Sequence, residues 1–117
     1  MTSMDQPSKV VKRSLRQLAA LANEEELRRA LLPLAAEFDE WRAGRLESGE
    51  LVGIIHRFHD GPAREIWKDY AYARDPALAR AIATGVIERD KVPAEVLEFL
   101  GGAIECYARE SQVDDSS

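Results

Sequence analysis

Cysteine is all but absent from this chain of 117 residues: Cys106 stands alone and has no partner for an internal disulfide. The fold must therefore hold by packing, and a reducing cytoplasm suits such a composition. Long apolar runs are missing too. Nothing approaches the ~18 consecutive apolar residues that would read as a membrane span. The opening stretch, MTSMDQPSKVVKR, has neither an apolar core region nor a small-residue cleavage site, so no secretory signal is read there. Positive charge is in deficit, with 16 Lys and Arg against 21 Asp and Glu and a net charge of -5. That is the wrong sign for a domain whose main partner is a polyanion. The motifs of covalent and nucleotide chemistry are absent as well: no serine in a glycine elbow, no phosphate loop, no Gly-rich dinucleotide turn. No cofactor is expected, and no segment alternates with the period of a strand or repeats at a solenoid period.

What is present is helical patterning, in a chain that is 45% apolar and 32% charged. The spacing predicts an all-α, compact bundle of about six short helices in a single domain over 8–110. Residues 1–7 are expected to be a disordered N-terminal tail, and 111–117 a disordered acidic C-terminal one. Val11, Leu15, Leu18 and Ala22 mark the first helix. Asn23 and Glu26 resemble a capping box for a second, striped by Leu27, Leu31, Leu34, Phe38 and Trp41 and closed by Gly44. Pro33 predicts a kink or break inside it. Ser48 reads as the N-cap of a third helix carrying Leu51, Ile54, Ile55 and Phe58. Gly61-Pro62 then predicts a sharp joint. A fourth helix holds Ile66, Trp67 and Tyr70. Asp75-Pro76 opens a fifth with Leu78, Ile82 and Val86 inward. Pro93 opens a sixth, with Val96, Leu100 and Ile104 facing the core. Gly101 and Gly102 predict either a close backbone approach or a kink.

Both histidines fall in the stretch HRFHDGPAR, residues 56–64. His56 and His59, three apart, share one edge of a helix, so two imidazoles and a carboxylate from Asp60, Glu37 or Glu40 could hold a metal. The pattern does not match a known site. A zinc-protease helix needs histidines four apart with a glutamate after the first, where Arg57 stands here. The His-Asp pair lacks the distant histidine and aspartate of the metal-dependent phosphohydrolases named for that dyad. The Glu-x-x-His of di-iron bundles is absent as well. The structural reading makes His59 a half-buried helix-end histidine and Asp60-Gly61 a turn. The functional reading is a small polar site of His56, His59, Asp60, Arg64 and Tyr70, with no metal assigned.

Trp67, Tyr70 and Tyr72 spread too far around one short helix to be buried together. With Arg74 they form a candidate interface. Lys9, Lys12, Arg13 and Arg16 give the first helix a basic face, and Cys106 reads as a quiet buried thiol. The expectation is a cytoplasmic helical protein that works by protein–protein interaction, as an adaptor, accessory or regulatory subunit, with a homodimer as the first partner considered. The alternatives are a small metal- or ligand-binding enzyme centred on His56, His59 and Asp60, and an antitoxin-like or nucleic-acid-associated regulator using the basic helix.

Overall fold

Ser8 accepts a hydrogen bond from the Val11 amide and starts α1, Lys9–Arg42, 34 residues without interruption. The computed structural model describes residues 7–116, with side chains over 7–111; the tail expected over 1–7 lies, apart from Pro7, outside them. Neither expected break occurs in α1. The capping-box residues Asn23 and Glu26 sit mid-helix, because the Ala-, Leu-, Glu- and Arg-rich sequence around them favours continued helix. Pro33 is also absorbed. It lies exposed, where a carbonyl released from its helical bond can be hydrated. Gly44, at φ 81°, ends the helix: its amide bonds to Trp41 O and the Arg45 amide to Glu40 O, a Schellman closure.

The chain then reverses into α2, Ser48–Phe58, capped by Glu47 and Glu50 in a reciprocal capping box rather than by Ser48. Ser48 instead accepts from the Trp41 indole N–H at 3.0 Å, across the turn. The sharp joint expected at Gly61-Pro62 is not there. A single π-helical turn, His59–Ala63, runs straight into α3, Arg64–Tyr72. Pro62 has no amide to donate, and its ring would crowd the Phe58 carbonyl in a regular α-turn. The wider turn relieves both. It also re-phases the helix. In an unbroken α-helix Ile66 and Tyr70 would lie about 80° and 120° round from Phe58. One extra residue brings them back to its side, and both are half-buried there.

Ala73, at φ -140° and ψ 52°, breaks this rod and starts α4, Arg74–Ala83, two residues earlier than Asp75-Pro76 suggested. Gly85, at φ 83°, closes α4 with a second Schellman pattern before Val86 can join it. A 3-10 turn, Arg89–Lys91, leads to α5, Ala94–Ser116. Its helical backbone continues past residue 110, where the polar composition predicts a loose tail. A Cβ placed at Gly101 or Gly102 would meet nothing within 4 Å, so no backbone approaches them closely.

The fold is all-α, but it has four rods, not six helices: α1, the α2–π–α3 run, α4 and α5. It is also elongated rather than compact, 64 × 34 × 23 Å with a radius of gyration of 17.8 Å. A compact chain of this length would measure about 13 Å. The cause is a division of labour along α1. Its first half (Val11, Leu15, Leu18, Ala22) packs with α4 (Leu78, Ala79, Ala81, Ile82) and α5 (Val96, Leu100, Ile104) into the hydrophobic core. Its second half leaves that core and pairs with α2 and α3 as a two-helix hairpin.

Candidate functional site

Two helices packed side by side have only one mutual face, and the hairpin shows the consequence. Leu51 is its single fully buried apolar residue among those described; every other buried apolar side chain lies in 11–22 or 77–104. Leu27, Leu34 and Phe38, which the periodicity places inward, are only half-buried, and Leu31 and Trp41 are exposed. A stripe wide enough for a full core meets a single neighbour. An open apolar groove of about 450 Å³ runs along one flank, floored by Ala30, Leu34, Ile54 and Phe58 and flanked by Pro33 and Pro62. Glu37 and Arg57 also line it. Neither makes an ion pair among the described residues.

A polar cluster secures the hairpin to the core. The Tyr70 hydroxyl donates to Glu26 Oε2. Arg80, from α4, donates to Asp69 Oδ2 at 2.9 Å and stands 3.8 Å from Glu26 Oε1. Three helices meet in these four side chains. Burial holds the Tyr70 hydroxyl well above its ordinary pKa, and the hydrogen bond and charge of Glu26 add to the effect. Burial works against the Arg80 charge, but the hydrogen bond and charge of Asp69, with the charge of Glu26, raise its pKa overall.

This geometry divides the polar site expected from the sequence. Tyr70 belongs to the core-side cluster, a full eleven residues along the rod from His59. His56 and Arg64 are exposed. The His59 side chain is 83% exposed, not half-buried, because the π turn places it on the open flank of the hairpin. Its Nδ1 lies 3.3 Å from Asp60 Oδ1. Glu40, considered as a further ligand, is engaged by Arg45 at 2.6 Å, which lowers its carboxyl pKa. Among the described residues no three His, Cys, Asp or Glu side chains come together as a metal site.

The candidate interface divides likewise. Tyr70 turns inward and Arg74 pairs with Asp75 at 3.0 Å. Trp67 and Tyr72 remain outside, 58% and 75% exposed, their rings edge-to-face at 5.4 Å. Cys106 is exposed rather than buried, two residues and so about 200° round α5 from inward-facing Ile104. Lys9, Lys12, Arg13 and Arg16 are all exposed. No helix among the described residues is long and apolar enough to cross a membrane.

Sequence reading missed Glu26, Asp69 and Arg80 as a group. Glu26 carried a competing capping signal, and nothing in the order of residues joins positions 26, 69 and 80. It also missed the groove, because a sharp joint at Pro62 would have carried α3 away from α1. No known protein family, curated protein or solved structure matches this chain.

Proposed function

We propose that this protein acts by protein–protein interaction through its helical hairpin, binding another protein or a second copy of itself, as an adaptor, accessory or regulatory subunit. One observation carries the reading: from residue 23 to residue 76 only Leu51 is fully buried, while large apolar side chains line both flanks of the hairpin. Monomeric proteins rarely leave contiguous apolar surface of this extent uncovered. The polar cluster of Glu26, Asp69, Tyr70 and Arg80 supports the same reading, since it ties the hairpin to the core at one end and leaves its faces outward. An enzyme centred on His56, His59 and Asp60 has less support, because these side chains all stand exposed on the rod.

The test is capture from lysate of the native host, comparing the wild type with Leu31→Glu and Trp67→Glu. Both residues are exposed, so helix content by circular dichroism is expected to be unchanged. Capture of the same partner by wild type and both variants would contradict a role for the hairpin.

A further inference from the structure

We propose that the hairpin's partner is a second copy of this chain, the two hairpins packing face to face as a four-helix bundle about a two-fold axis. The proposal rests on the protein-binding reading above and names the partner.

The two flanks of the hairpin differ in chemistry. The groove flank carries Glu37 and Arg57, two charges that close packing would have to desolvate. The opposite flank centres on the exposed Leu31, Ile55 and Trp67, with Asp60 beside His59 and the exposed Glu24, Arg42 and Arg64 at its margins. On α1, Leu31 lies about 160° round from groove-lining Pro33 and turns away from the groove, while half-buried Leu27 and Phe38, about 120° and 140° round, border Leu31 on the side of the mutual face. On the rod, Ile55 stands about 100° round from groove-lining Ile54, and Trp67 about 100° round from half-buried Ile66. The π turn brings these two stretches into the same phase, so Ile55, His59 and Trp67 share one line. The outcome is a seam of five apolar side chains with one imidazole in the middle. Leu31, Ile55 and Trp67 are 46%, 36% and 58% exposed.

Area and symmetry together select a second copy. With a tryptophan alone able to bury some 150–250 Å², the seam offers on the order of 400 Å² per chain before its borders are counted. A standard interface needs about 800 Å² per partner, so the seam is about half of one and its borders, where Val52 is 51% exposed, complete it in the proposed pairing. Each end of the seam holds an aromatic ring beside an aliphatic chain: Trp67 with Leu27 and Leu31, and Phe38 with Ile55. Turning one copy end over end lays the Trp67 end on the Phe38 end of the other, which is the self-complementarity an isologous contact requires. His59, near the middle, then faces its counterpart close to the axis, where one neutral imidazole can donate to the other. Two antiparallel helices are also half of a four-helix bundle, the arrangement in which such stripes are buried without further chain.

Sedimentation equilibrium of the full chain over about a hundredfold range of concentration tests this. A dimer is expected, with Leu31→Glu and Trp67→Glu each raising its dissociation constant by about a hundredfold or more. His59→Glu gives the same reading at a side chain that is 83% exposed. Leu21→Glu, on a different face of α1 and 59% exposed, is the control and is expected to change the constant by less than about threefold. A monomer throughout overturns the proposal, as does a dimer indifferent to the seam variants. If the chain is monomeric yet captures a protein that Leu31→Glu and Trp67→Glu release, the hairpin still binds a partner and only its identity as a second copy fails. If capture also ignores those variants, both readings fall.

Discussion

Tyr70 donates its hydroxyl to Glu26 from a half-buried position, so the fold favours the protonated phenol. Its folded pKa lies above the ordinary 10.0. Between pH 10 and that raised value the unfolded chain loses a proton that the folded chain keeps, and stability falls as pH rises. The contribution is therefore complete below about pH 10 and lost above it. Thermal melts across the alkaline range should show a decline in Tm that Tyr70→Phe largely removes. At neutral pH the same substitution should cost about 1 kcal/mol, because Glu26 keeps Arg80 nearby but loses a donor. Leu100→Ala, in the closed core, should cost ~2–5 kcal/mol in chemical denaturation. Phe58→Ala should cost less than Leu100→Ala, since its ring stands half-open in the groove, and Arg57→Ala should be near neutral.

Elements were legible where local chemistry decided them. The stripe Val11, Leu15, Leu18, Ala22 is buried as its spacing indicates, and Gly44 closes α1 in the left-handed conformation expected of it. Continuity was not legible. Pro33 and Pro62 both read as breaks, because a proline's missing amide is visible in sequence while the packing that tolerates it is not. At Pro62 the deciding fact is phase: α3 can set Ile66 and Tyr70 against α1 only if the helix gains one residue per turn there. That account predicts a specific rescue. Deleting Gly61 together with Pro62→Ala should convert the π turn to regular α-helix and leave Phe58 and Ile66 in phase. The variant should retain helix content and the Tyr70-dependent alkaline transition. Loss of that transition in a folded variant would mean that the π turn does not set the phase. The candidate site was legible in composition but not in place. The crowding of aromatics on one short helix required that not all be buried, and Trp67 and Tyr72 are the exposed ones, whereas the cluster around Tyr70 draws on positions 26 and 80, beyond any local rule.

At the scale of the molecule, α1 joins two unequal halves. One is a closed core of α1, α4 and α5; the other is a hairpin whose apolar stripe exceeds what its two helices can cover. Stability should follow that division, since local opening is easiest where few apolar contacts are buried. Amide hydrogen exchange in dilute and in concentrated protein measures it directly. In dilute protein, amides of residues 27–66 are predicted to exchange markedly faster than those around Leu15, Leu78, Ile82 and Val96. On concentration the hairpin alone is predicted to gain protection. A hairpin already as protected as the core in the dilute protein would contradict the account, because it would then stand complete without a partner.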